Sequence, residues 1–153
     1  MTLQEIARLA EIVAAVGVIG SLLVVAWEIR KNTTQSKQAN WGSLVDRFNA
    51  IYAQTNDIEL ANLVAKGRQS FKSLTDGEKI AFGHYLEQLC IAQEGILIYA
   101  KDEVHGYDEM KALFDKHIGF HLGFQGSREW WEQFQVERGF PKPITEAINH
   151  ALA

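Results

Sequence analysis

Residues Ile12 to Trp27 read IVAAVGVIGSLLVVAW, which is a run of sixteen residues without a charged side chain. The hydrocarbon core of a bilayer is about 30 Å thick and needs about 20 apolar residues in a helix. The longer stretch from Leu9 to Ile29 has 21 residues and carries only Glu11 and Glu28, one near each end. Charge costs much less at the membrane interface than at mid-bilayer. The sequence therefore predicts a transmembrane helix at the N-terminus.

Two other interpretations of the apolar run compete with a membrane span. A helix buried in a soluble or oligomeric bundle is also hydrophobic all round. A cleavable signal peptide is the weaker alternative, because its first residues should be basic. The chain begins MTLQEIARLAE, with two glutamates and one arginine. We favour the membrane span over both alternatives.

The residues that flank the span predict its direction. The eleven residues before it carry a net charge of −1, whereas Arg30, Lys31 and Lys37 follow it, with no acidic residue between Ile29 and Lys37. Lys and Arg collect on the cytoplasmic side of a membrane, and Trp favours the interface. We therefore expect an outside N-terminus and a cytoplasmic C-terminal domain. Trp27, Arg30 and Lys31 are the predicted interface residues.

Small residues recur along the same helix at spacings of 3, 4, 3 and 4, which places them on one face. They are Ala7, Ala10, Ala14, Gly17 and Ser21, and we call them the small-residue seam. Small residues let helices approach closely in lipid. The seam predicts packing against a copy of the chain or another membrane protein. The simpler explanation is that Ala and Gly are common in such helices.

The remaining composition fits one small domain. The sequence divides into a membrane-spanning helix (1–30), a juxtamembrane amphipathic helix (31–55) and a cytoplasmic all-α domain (56–153). After the span, 14 Lys and Arg face 16 Asp and Glu, so no basic excess indicates nucleic acid. The only cysteine, Cys90, excludes an intramolecular disulfide and reads as an apolar filler of a helix core.

The domain sequence predicts four to six helices and no strand. Apolar residues from Trp41 onward follow a helical period. Asp57 can cap the next helix. Thr75 and Glu78 form a capping box that opens the longest helix of the domain, from about Asp76 to Lys101. The fold class is therefore all-α, with an N-terminal transmembrane helix followed by a small helical bundle.

Candidate chemistry in the domain is weak. His117 and His121 share a helix face, a spacing that can hold a metal, but no further ligand completes the site. Glu87 and Glu94 lie in the longest domain helix, where a buried pair would suit acid–base chemistry, although one solvated stripe is the simpler explanation. No nucleotide-binding glycine motif is present. We predict no enzyme activity, no metal and no cofactor.

Trp130 and Trp131 form the most unusual pair in the sequence. Adjacent helical residues point about 100° apart, so both rings should not be buried equally against one partner. We expect one ring in the core and the other in a partner surface, a groove or a partly buried position.

Several segments in order carry a resemblance. The apolar start is followed by WEIRKNT (27–33), NDIELA (56–61), LTDGE (74–78) and GSREWWE (126–132). This order resembles a widespread group of uncharacterised bacterial proteins with one membrane span, an Ile-Arg-x-Asn-Thr segment, a helical domain and a late Trp-Trp. The turn at 141–143 does not fit the pattern. The resemblance implies the bacterial inner membrane, hence a periplasmic N-terminus, and no known activity.

The sequence thus favours a membrane-anchored structural or interaction protein without a catalytic role. The lipid bilayer and either a homo-oligomer or another membrane protein are its expected partners. The alternative is a small-molecule or lipid-binding sensor domain tethered to the membrane. Its pocket would lie among Tyr85, Leu89, Phe114 and Trp131.

Overall fold

The structure, a computed structural model, describes residues 2–100 and 107–153. The regular structure of these residues is helical throughout, which confirms the predicted all-α class. A long apolar N-terminal helix is followed by a helical domain. The helices are α1 (Leu3–Gln54), α2 (Ile58–Gln69), α3 (Asp76–Ala100), α4 (Tyr107–Leu122), α5 (Gln125–Glu137) and α6 (Lys142–Leu152).

The chain divides into two units, residues 1–40 and residues 41–153. The second unit, called the domain below, contains the end of α1 and all of α2 to α6. Leu44 and Ile51 of α1 are buried in its core, and Leu44 packs where Gly95 of α3 leaves space. The sequence division kept 31–55 as one juxtamembrane segment. The structure groups the residues from Trp41 onward with the domain, since this part of α1 has an apolar face, and the boundaries given by the sequence stay a prediction.

Helix α3 is the longest helix of the domain, as its sequence predicts. It buries residues on more than one face, including Phe82, Cys90 and Ala92. Few polar positions interrupt α3, so it can contact neighbours on several sides. The buried side chains of the domain form one cluster that includes residues from every helix.

Both predicted helix starts are confirmed. The Asp57 carboxylate accepts hydrogen bonds from the first backbone N–H groups of α2, at 2.7 Å and 3.4 Å. At the start of α3, the Glu78 carboxylate accepts from the Thr75 backbone N–H at 2.8 Å, and the Thr75 hydroxyl accepts from the Glu78 N–H at 3.4 Å. These bonds satisfy N–H groups that a helix terminus otherwise leaves unpaired.

The end of α2 and the start of α5 approach each other with backbone in contact. A Cβ atom on Gly126 would collide with the Gly67 carbonyl oxygen and would lie 2.8 Å from the Phe71 nitrogen. Only glycine permits this approach. Helix α5 begins at Gln125, and the Ser127 side chain is buried with no hydrogen-bond partner among the described residues.

Candidate functional sites

The first candidate site is the apolar part of α1. Among the described residues, α1 is the one helix long and apolar enough to cross a membrane. Its large apolar side chains from Leu9 to Ile29 are each 49% to 67% exposed, and none of its most apolar 18-residue window is buried. Contiguous apolar surface of this extent marks a membrane or protein contact.

The small-residue seam lies on this exposed part of α1. Because the helix is continuous through Ala7, Ala10, Ala14, Gly17 and Ser21, these residues share one face. The Ser21 hydroxyl donates to the Gly17 carbonyl oxygen at 2.9 Å, so its polar group is satisfied within the helix. A Cβ at Gly17 would meet nothing within 4 Å. The seam is thus sterically free to accept a neighbouring helix.

The predicted interface residues follow the seam about two to three helical turns later. The Lys31 ammonium lies over the Trp27 ring, 5.3 Å from its centroid, which is a cation–π distance. The Thr33 hydroxyl donates to the Ile29 carbonyl at 2.8 Å, and the Thr34 hydroxyl donates to the Arg30 carbonyl at 3.1 Å. Both threonines therefore satisfy their hydroxyls without leaving the helix.

The Trp pair differs from its prediction. Trp130 and Trp131 are both buried, with 5% and 3% of their surface exposed. The expectation that the two rings are buried unequally is wrong, because α5 is covered on two sides. Trp130 packs against Gly83 of α3, whereas the Trp131 indole donates to Asn149 of α6 at 2.8 Å. Neither ring presents a broad exposed surface to a partner.

The second candidate site is a groove in the domain with a volume of about 320 Å³. Nine residues from α1 to α4 and the α1–α2 turn line it. We call it the His121 groove, and its polar and aromatic lining includes Tyr52, Arg68, Tyr85, Phe120 and His121. None of the nine is acidic. Arg68 is therefore the only lining residue with a permanent charge.

His121 is a buried histidine at this groove. It is 4% exposed, and its Nε2 lies 3.2 Å from the Tyr52 hydroxyl. Its Nδ1 is buried and has no hydrogen-bond partner in the described part of the chain. The His121 pKa is lowered to about 4, mainly by burial and to a smaller extent by the positive charges of Arg68 and His117. The imidazole is therefore neutral at pH 7.

Arg68 stands at the groove over aromatic rings. Its guanidinium carbon lies 4.6 Å from the Phe124 ring centroid and 5.6 Å from that of Phe120. Within residues 2–100 and 107–153, no acidic side chain forms an ion pair with it. Sequence reasoning missed Arg68 because Lys66-Gly67-Arg68 reads only as the end of α2.

The two histidines of α4 contact side chains of other helices. His117 Nδ1 lies 3.0 Å from the Gln93 amide nitrogen, and its ring meets that of Phe48 edge-on. Burial lowers the His117 pKa. Across the described ranges, no group of three His, Cys, Asp or Glu side chains could hold a metal. His117 and His121 belong instead to a part-buried polar layer between α1, α3 and α4.

The remaining candidate residues have structural roles in the domain. Glu87 accepts a hydrogen bond from the Arg138 guanidinium at 2.7 Å, in a partly exposed ion pair, and Glu94 is half-buried. Cys90 is 1% exposed, and burial strongly raises the pKa of its thiol. The thiolate that would act as a nucleophile is therefore disfavoured.

The pocket expected among Tyr85, Leu89, Phe114 and Trp131 is not formed by these residues together. Leu89, Phe114 and Trp131 are packed into the core. Phe114 and Trp131 border two different shallow pockets, and Tyr85 lines the His121 groove. Tyr85 therefore lines a groove together with other residues than those that the sequence predicts.

Comparison of the chain with family models, curated proteins and solved structures finds no match. The resemblance to single-span bacterial proteins stays a prediction.

Proposed function

We propose that this chain is a single-span membrane protein that acts by packing its span against itself or another membrane protein, without catalysis. The exposed apolar surface of α1 is the observation that carries the proposal. In water, that surface would cost about 25 cal/mol for each Å² left uncovered. Lipid covers such a helix on all sides and leaves its backbone hydrogen bonds intact.

The flanking charges support a direction for the span. Arg30 and Lys31 follow the apolar run directly, and the first eleven residues are slightly acidic. By the positive-inside rule, the domain lies in the cytoplasm and the N-terminus lies outside. The resemblance to bacterial single-span proteins implies that this membrane is the bacterial inner membrane. The N-terminus then lies in the periplasm.

Membrane insertion is tested by fractionation of cells that express the full chain. The wild type should stay in the membrane pellet after a carbonate wash. Ile19→Lys places a charge near mid-span and should shift protein to the soluble or aggregated fraction, whereas Gln38→Lys, outside the apolar run, should not. Wild-type protein released by carbonate would overturn the proposal.

Direction is tested with a membrane-impermeant maleimide on whole spheroplasts. Cys90 is buried, so it should remain silent in the folded protein. A Thr2→Cys variant should be labelled from outside, and a Lys116→Cys variant should be labelled only after lysis. The reverse pattern would place the domain in the periplasm.

Packing through the seam is tested with two leucine variants. Gly17→Leu adds bulk where the chain itself has nothing within 4 Å, so any effect must come from a neighbouring molecule. Val16→Leu is the matched control, because it lies about 140° from the seam centre at about 100° per residue.

Crosslinking in native membranes should lose its dimer or its heteromeric band in Gly17→Leu and keep it in Val16→Leu. Two results together would contradict the packing role. One is a strictly monomeric wild type, and the other is a crosslinked pull-down without a stoichiometric partner.

A second function has one observation in its favour. The His121 groove is compatible with the alternative of a ligand-binding domain on a membrane anchor. What that ligand would be follows from the groove itself.

A further inference from the structure

The His121 groove joins a positive charge to an apolar surface. Arg68 supplies the charge, while Ala61, Val64, Ala65 and Phe120 supply apolar lining. The volume of about 320 Å³ is at the small end of ligand sites, which span roughly 300–1,000 Å³. Such a combination suits a molecule with one anionic end and one apolar end.

The anionic end would meet Arg68. Its guanidinium is half-buried and held against the rings of Phe120 and Phe124 rather than against a carboxylate of the described residues. Ring contacts position the guanidinium plane but supply no acceptor to its N–H groups. That planar set of donors matches a carboxylate or phosphate in a bidentate arrangement.

Tyr52 supplies a second donor. Its hydroxyl lies 3.2 Å from His121 Nε2, and His121 Nδ1 has no partner within the described residues. A buried N–H without an acceptor is rarer than an unpaired acceptor. The single proton of the neutral ring therefore belongs on Nε2, where it donates to the Tyr52 oxygen. The Tyr52 O–H is then free to donate to an oxyanion beside Arg68.

We propose that the His121 groove binds a small organic anion, whose carboxylate or phosphate is held by Arg68 and Tyr52 and whose apolar part lies along Phe120 and Ala65. Two sources share this chemistry, the headgroup region of an anionic lipid and a soluble organic acid. The proposal does not depend on packing of the span, because every residue involved lies in the domain.

The first experiment titrates benzoate into the full chain, held in nanodiscs of zwitterionic phosphatidylcholine, by isothermal titration calorimetry. Nanodiscs avoid detergent tails, which would compete for an apolar groove. Benzoate should bind saturably, and benzyl alcohol, its uncharged analogue, should bind at least tenfold more weakly.

Three variants locate the binding. Arg68→Gln should raise the Kd of benzoate about tenfold or more, as expected for loss of a charge-assisted hydrogen bond. Arg47→Gln removes an exposed arginine of α1 that does not line the groove, and it should leave the Kd unchanged. Ala65→Leu fills the groove and keeps Arg68, so it should weaken benzoate binding at least as much as Arg68→Gln does. Circular dichroism confirms that each variant is folded.

The second experiment separates the two sources. His121 is observed by NMR in ¹⁵N-histidine-labelled protein as phosphatidylglycerol replaces phosphatidylcholine in the nanodiscs. Saturable benzoate binding in phosphatidylcholine supports a soluble organic acid. A His121 shift that appears only with phosphatidylglycerol and is lost in Arg68→Gln supports a lipid headgroup. Absence of both responses, or equal benzoate binding by wild type and Arg68→Gln, overturns the proposal.

Discussion

Lowering the pH from 7 to 5 should destabilise the domain through His121. The side chain is 4% exposed, and its pKa falls from 6.5 in the unfolded chain to about 4 in the folded protein. The unfolded state therefore takes up the proton first. The contribution of His121 to stability is fully present above pH 6.5 and is lost as the pH falls from 6.5 toward about 4.

The size of the effect follows from the pKa difference. A pH of 5 is about 1.5 units below the pKa of the unfolded imidazole, so that imidazole is mostly protonated. The folded imidazole remains mostly neutral at this pH. One pKa unit corresponds to about 1.36 kcal/mol, so the free energy of unfolding should fall by about 2 kcal/mol. The lowered pKa of His117 adds to the loss in the same direction. The carboxyls of Glu78 and Glu129 have lowered pKa values and lose their contributions only below this range.

The assay is urea unfolding of the full chain in nanodiscs at pH 7, 6 and 5, followed by the fluorescence of the buried tryptophans. His121→Gln removes the titration and keeps a nitrogen near the Tyr52 hydroxyl. It should flatten most of the pH dependence. His84→Gln, at an exposed position of α3, is the control and should behave as wild type. An equal pH slope in wild type and His121→Gln would refute the reasoning.

Three further predictions concern the domain. Gly126→Ala should cost about 2–3 kcal/mol in urea unfolding, because backbone atoms fill the space for its Cβ, whereas Gly119→Ala, with nothing within 4 Å, should stabilise by up to about 1 kcal/mol. A higher free energy of unfolding for Gly126→Ala than for Gly119→Ala would contradict this. Thr75→Ala should cost about 0.5–2 kcal/mol by removing the cap of α3, and an unchanged midpoint would argue against the cap. Cys90 should not react with a thiol reagent until the protein is unfolded in guanidinium, and rapid labelling of folded protein would show that its burial is wrong.

Features set by neighbours in the chain were predictable. The caps at Asp57 and Thr75 depend on residues two or three positions away, and both form as expected. The apolar run of α1 is equally local, so its helical conformation and the length of the apolar stretch could be inferred from sequence. The all-α class follows from the same periodic patterns.

Features set by distant residues were not predictable. The burial of both Trp130 and Trp131 depends on separate contacts with Gly83 of α3 and Asn149 of α6, which one helix pattern does not encode. The His121 groove combines Tyr52, Arg68 and His121 from three helices, and no local motif connects them. Each of the three side chains has an ordinary local explanation until the fold places them together.

Whether the groove and the span act together decides between the two proposed functions. An anchored sensor requires that anion binding change helix packing. Linkage then requires that packing change anion affinity by the same factor. The benzoate Kd should therefore differ between wild type and Gly17→Leu, and saturating benzoate should change the association constant of the span, measured by crosslinking at several protein-to-lipid ratios, by the same factor. In an interaction protein that merely carries a ligand site, packing leaves the anion affinity unchanged and anion binding leaves the packing unchanged. Variants of Gly17 and Arg68 would then act independently, because they alter separate parts of the chain.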